Sequence, residues 1–350
     1  MLIDAYKEME NLILNDTEFL HHPTKDSSKG FIQAYFQNRS KESLFDFNIP
    51  GKETVKYSRS VHTVSAFYLG LYLRDLVEAA VLQMIKSNCH LENNKFEYPW
   101  FLSCLFHDVF TEYENEMKKL GMSSLDSMTR KLGISHTIYK PNLPEGLLVA
   151  AVPFSYDDET VSQYYKYRYK DGKIDHGIVS GIYAYDALVK NYLKERELHK
   201  GENQFHTEGP VCTLQWEPPQ LWVFGFVSDA IIAHNIWHMP EKKGLPSKLS
   251  TDHIDHMRLN ISNSPLAYFL SLIDTIEPTK FFCNIRASVV LENIDIVMDD
   301  DGIIISQASN GIFDFEQWYE VKMKNMPDWL EGCIPAYKSK TDEIIITIKA

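Results

Sequence analysis

The pair His107-Asp108 closes the run PWFLSCLFHDVFTE, residues 99–112, and constrains this chain more than any other stretch. Phe101, Leu102, Leu105 and Phe106 recur at helical spacing, which predicts a core helix with Pro99 in its opening turn, where a missing N–H does no harm. An imidazole and a carboxylate at the buried end of such a helix need a cation or hydrogen-bonding partners. Neighbouring residues on a helix point about 100° apart, so a lone His-Asp dipeptide is more often a satisfied polar pair than a pair of ligands. Other parts of the chain have to decide between the two.

The 350 residues suffice for one large domain, or a large and a small one, each with a real core. With 44% hydrophobic residues the chain is not disordered, and a formal charge of −13 argues against a nucleic-acid polymer as partner. A small anion held by a local metal remains compatible with that charge. The opening MLIDAYKEMENLIL carries acidic residues and no small-residue cleavage site, so it does not read as a leader. The apolar stretches 64–85 and 221–239 are interrupted by Arg74-Asp75 and by Asp229 and His234, and no membrane span is expected. Cys89, Cys104, Cys212, Cys283 and Cys333 are widely spaced without a CxxC, the pattern of a reducing cytoplasm.

In chain order, a short amphipathic helix (Ala5 to Leu14) leads into a polar loop with exposed His21 and His22. From Ser60 the run VHTVSAFYLGLYLRDLVEAAVLQMIKS reads as one buried helix with His62 in its first turn. Periodicity weakens over 111–160, an insertion expected to hold one or two short helices and able to form a lid over a pocket. Tyr164, Tyr165, Tyr167 and Tyr169 follow, able to stack on a base or to pack on that insertion. Asp171-Gly172 marks a turn and His176 opens the next long helix, after which His199 and His206 fall in a polar link at the surface. The helix-like LWVFGFVSDAIIAHNIWHM then brings His234 and His238 onto one face.

His253 and His256 lie in a polar segment and read as solvated. In SPLAYFLSLIDTIEP, capped by Ser264 with Pro265 first, Asp274 is flanked by Leu272, Ile273 and Ile276. A carboxylate among such neighbours is the second anomaly of the sequence. Beyond it, SVVLENIDIVMDDDG and IIISQAS read as two strands joined by an Asp-Gly turn, FDFEQWYEVKMKNMPDWL as an amphipathic helix, and DEIIITIK as a last strand. That makes a small C-terminal α+β module, ββαβ, with a structural or oligomeric role.

The helices thus offer His62, His107-Asp108, His176, His234 with His238, and Asp274, each on or at the end of a separate helix, so a mainly α bundle could bring them to one point. In this order, and in the wording SRSVHTVSAFYLGLYL, CLFHDVF, KIDHGIVSGIY, IIAHNIWH and PLAYFLSLIDTIEP, the chain resembles the HD-domain superfamily of metal-dependent phosphohydrolases. The similarity covers about Tyr57 to Phe282. One departure stands three residues after the Asp, where relatives often carry Lys or Glu and this chain has Thr111, followed by Glu112. The resemblance implies an HD-type helical bundle over 57–283, with the insertion at about 111–160, a helix and loop segment at 1–56 and the small module at 284–350.

It also implies a ligand scheme. His62, His107, Asp108 and Asp274 would hold one divalent metal, His176 and His234 a second, with Asp108 bridging and serving catalysis and His238 able to replace or join His234. Nitrogen and oxygen ligands leave Fe, Mn, Ni, Co, Zn and Mg all open. Two such cations polarise a phosphoryl oxygen and make a bridging hydroxide available as nucleophile near neutral pH. The implied activity is hydrolysis of a phosphate ester, a nucleotide or another small phosphorylated metabolite, in a cytoplasmic protein that could be a homo-oligomer. Two other activities fit the same ligand order: a di-iron oxygenase of the inositol-oxygenase type, and a regulatory HD module without turnover. Arg59, one turn before His62, and Lys173, three residues before His176, could pair with the phosphate, and either could equally be a solvated cation.

Overall fold

A helix that is apolar on every side sits at the middle of the fold. In α9 (Pro219–Ala233) all residues from Gln220 to Ala233 are buried, as a sequence such as LWVFGFVSDAIIA requires. The structure is a computed structural model that describes residues 1–15, 57–89, 96–147, 151–208, 213–236, 258–299, 302–308 and 312–349. His21, His22, His238, His253 and His256 lie outside the described residues.

The described chain begins with α1 (Leu2–Asn15) and continues with α2 (Tyr57–Tyr72), a 3-10 turn at Arg74–Leu76, α3 (Glu78–Cys89) and α4 (Glu97–Phe106). The insertion holds a 3-10 turn at Thr111–Tyr113, α5 (Glu114–Lys119) and α6 (Leu125–Lys131). Then come α7 (Asp158–Lys170), α8 (His176–Leu198), a hairpin of β1 (Phe205–Glu208) and β2 (Thr213–Trp216), and α9. Helices α10 (Pro265–Ile276) and α11 (Pro278–Phe281) complete the helical part. Around α9 pack α8, α4, α10 and α3, and α2 lies against α4, α10 and α1.

Close approach between helices depends on bare Cα atoms at two places. At Gly181 of α8 a Cβ would stand 2.7 Å from Ser228 O of α9, and Ser228 Oγ donates to the Gly181 carbonyl. At Gly70 of α2 a Cβ would overlap the Trp100 indole, whose Nε1 donates to Phe67 O at 3.0 Å. The run from Ser60 is therefore not one helix. It breaks at the 3-10 turn, which lets Leu73 and Val77 stay buried while Asp75 reaches solvent.

The insertion carries short helices as its composition predicts. Tyr164, Tyr165 and Tyr167 of α7 are buried; Tyr165 Oη donates to Met122 O in the insertion, and Tyr164 Oη to Asn235 O just after Ala233. The polar link after α8 contains the hairpin that its sequence concealed, and His199, expected at the surface, stacks half-buried on Phe205. His206 is exposed.

The C-terminal module differs from ββαβ in three respects. The stretch 288–293, expected as strand, belongs to helix α12 (Ala287–Asn293), and only Ile294–Asp299 forms β3. Cys333–Lys338 supplies an additional strand, β5, so with β4 (Gly302–Gln307) and β6 (Glu343–Ile348) the sheet has four antiparallel strands in the order β3-β4-β6-β5. The expected long amphipathic helix shortens to α13 (Phe315–Trp318), a π turn at Tyr319–Met323 and a 3-10 turn at Met326–Asp328. Pro327 forbids a continuous helix there. The strand pair β3-β4 meets at Asp299 opposite Gly302, where a Cβ would overlap Ile346 O, in keeping with the Asp-Gly signal. Among the described residues, no helix is long and apolar enough to cross a membrane.

One buried carboxylate ties the insertion to the bundle. Asp229 of α9 accepts from the Ser155 backbone N at 3.0 Å and from Ser155 Oγ at 2.6 Å, and Ser264 Oγ lies 3.0 Å from Ser155 Oγ. Ser264 spends its hydroxyl here and not on capping α10. Burial pushes the Asp229 carboxyl up to about 7, against the pull of the two Ser155 bonds. A carboxyl raised on folding contributes stability below its unfolded pKa and loses it as pH climbs through the folded one, here from about 4 to about 7. Asp229→Asn keeps an acceptor for Ser155 N and adds a donor for Ser155 Oγ. The melting midpoint of this variant at pH 8 is expected to exceed wild type by on the order of 5 °C, with the gap closing towards pH 5. A variant less stable than wild type at pH 8 contradicts this account of Asp229.

Candidate metal centre

Each of the six residues singled out in the helices is placed by a local device. His107 is the C-cap of α4 and keeps the helical bond to Ser103 O, so the His107-Asp108 pair emerges where the helix stops and both side chains can turn inward. His176 opens α8 behind the N-cap Asp175, whose carboxylate accepts from Ile178 N. His234 is the C-cap of α9, and Asp274 lies in the last turn of α10. His62 projects from the first half of α2. Gly177, beside His176, makes room for the His234 ring, since a Cβ there would stand 2.8 Å from His234 Cε1.

The structure brings all six together, buried or nearly so, in two groups that share Asp108. In the first, Nε2 of His62 lies 3.2 Å from Nε2 of His107 and 3.0 Å from Asp274 Oδ1. Asp108 Oδ2 is 3.7 Å from both imidazole nitrogens, and His107 Nε2 is 3.5 Å from Asp274 Oδ1. A metal bound at about 2.1 Å sets adjacent ligand atoms about 3.0 Å apart in an octahedron and about 3.4 Å apart in a tetrahedron. The observed edges match those spacings. In the second group the other carboxylate oxygen, Asp108 Oδ1, faces His176 Nε2 at 3.3 Å, with His234 beside it.

All four imidazoles have their Nδ1 committed elsewhere. His62 pairs with Glu277 Oε2 at 2.7 Å, His107 with Cys104 O at 2.9 Å, His176 with Glu114 Oε1 at 2.8 Å and His234 with Ile231 O at 2.6 Å. Carboxylates and carbonyls can only accept, so each Nδ1 carries the proton and each Nε2 is directed to the cluster. Nε2 of His176 and of His234 are buried and make no hydrogen bond. Four inward nitrogens and two carboxylates are acceptors aimed at one another, an arrangement that demands positive charge. The residues present therefore fit a cation, or two of them sharing Asp108.

Titration follows the same electrostatics. Burial drives His234 down to about 3 despite the Asp274 charge, leaving it a neutral imidazole. Burial likewise lowers His107. For His62, burial and Lys280 press downward, but bonds to Asp274 and Glu277 prevail and carry it up to about 9. His176 also reaches about 9, because Asp108 and Glu114 outweigh burial. Against burial, Lys280 and the imidazoles hold the Asp108 and Asp274 carboxyls well below the usual range. Without a metal, protonated His62 and His176 and the Lys280 ammonium supply the missing cations.

Several participants were invisible in the sequence. Lys280 of α11 reaches 2.6 Å from Asp274 Oδ1 and 3.8 Å from Asp108 Oδ2. Thr111, which the sequence marks only by its place three residues after Asp108, donates to Asp108 Oδ1 at 3.0 Å. Glu277 caps α11 by accepting from Thr279 N and Lys280 N, takes Ser65 Oγ at 2.5 Å, and orients His62. Because the Ser65 hydroxyl donates to Glu277, Tyr6 Oη must donate to Ser65 at 3.0 Å, which carries the network into helix α1. The one clue in the sequence was a second carboxylate three residues after Asp274, set before Pro278 at an N-cap. Of the two proposed phosphate anchors, Lys173 is exposed in the turn before α8, and the Arg59 side chain lies outside the described residues.

If Glu277 acts by fixing the His62 ring, Glu277→Gln should weaken metal binding by about 10- to 100-fold with little change in fold, as removing such a carboxylate partner does elsewhere. Manganese titration with a competing chelator, run beside circular dichroism, reads both. Wild-type affinity in a folded E277Q variant contradicts that role. In comparisons with known proteins the chain matches no family model, no curated protein and no solved structure.

Proposed function

We propose that this chain is an HD-type metal-dependent phosphohydrolase that hydrolyses the phosphate ester of a nucleotide or another small phosphorylated metabolite. The observation that carries this reading is the posture of Asp108, with Oδ2 towards His62 and His107 and Oδ1 towards His176. A carboxylate that faces two nitrogen-rich groups through its separate oxygens is the arrangement needed by a bridging ligand. His62, His107, Asp108 and Asp274 would hold one divalent metal, and His176, His234 and Asp108 the other. When bound, such a pair supplies a hydroxide nucleophile at neutral pH and polarises the phosphoryl oxygen, so no side-chain nucleophile is required.

The chain's own groups do the remaining work in this reading. Glu277 and Glu114 fix the rings of His62 and His176 so that each Nε2 faces inward. Thr111 holds Asp108 through Oδ1. Lys280, about a third exposed, sits between the carboxylates and solvent, where its ammonium can receive an entering phosphate. Aromatic and aliphatic side chains around the site, Phe106 and Ile273 among them, keep bulk water from competing with the positioned nucleophile. A cytoplasmic location belongs to the same reading and is supported by the spacing of the five cysteines.

The test is a panel of one phosphomonoester, one phosphodiester and a set of nucleotides, incubated with full-length protein and manganese under nitrogen. Phosphate-ester cleavage without oxygen is expected, and Asp108→Ala should reduce it at least about a hundredfold. Oxygen uptake that depends on ferrous iron, with no cleavage of any ester, would replace this proposal with a di-iron oxygenase. No turnover of either kind would leave a binding module.

A further inference from the structure

A fully buried carboxylate fastens the start of α8 to the end of α9. Asp175 divides its two oxygens: Oδ1 accepts from Ile178 N at 3.0 Å and so caps α8, and Oδ2 accepts from Asn235 Nδ2 at 2.9 Å. Its charge is balanced by Arg168 of α7, whose Nε stands 3.8 Å from Oδ2. An N-cap needs only one acceptor, which Ser or Asn supplies equally well. The second oxygen therefore has a task that capping does not explain.

That task shows in where the two partners stand in the chain. Asp175 immediately precedes His176, and Asn235 immediately follows His234. Their hydrogen bond thus links the backbones of the two histidines whose Nε2 atoms are buried and make no hydrogen bond. Asn235 is held from a second side, since Tyr164 Oη donates to its carbonyl at 3.2 Å. The backbones also approach closely: a Cβ on Gly177 would stand 3.0 Å from Asn235 Cβ. Contact at Gly177 keeps the two helix ends from coming nearer, and the Asp175–Asn235 bond keeps them from parting. The rings of His62 and His107 have other supports, Glu277 Oε2 and Cys104 O, so this bond bears on one half of the centre.

We propose that Asp175 and Asn235 are positioning residues of the second metal subsite. Their bond sets the spacing of His176 and His234, and without it the centre keeps the ion at His62, His107, Asp108 and Asp274 and loses its hold on the other. The proposal rests on the two-ion reading of the site. Neither residue touches metal or substrate; each acts through the backbone of the histidine beside it. Metal–ligand bonds tolerate only about 0.2 Å of departure from their usual lengths, so a slight parting of the two helix ends is enough to weaken that subsite.

The test is manganese titration of full-length protein against a competing chelator, with electron paramagnetic resonance to tell a coupled pair of ions from a lone one and circular dichroism to check the fold. Wild type is expected to bind two ions per chain. Asn235→Ala removes the bond and leaves the α8 cap intact, whereas Asp175→Ser keeps the cap but is too short to reach Asn235. Each should weaken one of the two ions about 10- to 100-fold, the usual cost of losing an outer partner, while the other keeps its affinity within about twofold. Asp175→Asn should keep both ions, because its amide oxygen caps α8 and Asn235 can turn its own amide over to accept the new N–H. Two ions bound with wild-type affinity in folded N235A or D175S, or equal weakening of both ions, overturns the positioning role while leaving the two-ion centre standing. Fewer than two ions in wild type overturns the two-ion reading and this proposal together.

Discussion

Everything around the six residues is arranged to keep electron-rich atoms pointed at each other in a largely buried space. Four imidazole nitrogens and the carboxylates of Asp108 and Asp274 meet within a few ångströms, and each imidazole is locked in that posture by a carbonyl or carboxylate behind it. Such a cluster is costly unless positive charge enters it. The fold accepts that cost in the middle of its core, with His107 fully buried at the end of a wholly buried helix. That expense is the physical ground for reading the cluster as a metal centre and not as a chance gathering of polar side chains.

The scaffold explains how residues more than two hundred positions apart hold such a geometry. Helix α9 is apolar all round, so its neighbours can pack on every side and direct their ends to one place. Ligands sit at helix termini or in last turns, where side chains are free to turn inward: His107 and His234 at C-caps, His176 at a start, Asp274 near an end. Gly177 and Gly181 bring α8 against α9 and open the pocket for the His234 ring. Behind His62, the chain Glu277–Ser65–Tyr6 connects the centre to the first helix. The first helix reaches the support of His62 through Tyr6, and the C-terminal module packs Trp318 on Phe281 and Phe282, next to Lys280.

Much of this was legible beforehand, for reasons that are themselves physical. A carboxylate between Leu272, Ile273 and Ile276, or a His-Asp pair after FLSCLF, stands out because burial of charge is rare, and the helices carrying them declare themselves by period. The residues that support the ligands are less visible. Glu277, Glu114 and Lys280 occupy ordinary polar surroundings in sequence and acquire meaning only when tertiary contacts bring them to His62, His176 and Asp274. The break at Leu73–Val77 and the helix in SVVLEN were hidden because apolar, β-branched runs suit helix and strand alike, and packing decides. The strand CIPAYK escaped notice because Pro335 discourages a strand. It stands in β5, at the edge of the sheet, where such a residue is tolerated.

The most direct test is elemental analysis of the protein as purified, joined with anomalous scattering from its crystals. The account requires close to two metal ions per chain, one among His62, His107, Asp108 and Asp274 and one among Asp108, His176 and His234. A well-folded protein that carries no metal, and takes up none when manganese, iron, cobalt, nickel, zinc or magnesium is supplied, would contradict it.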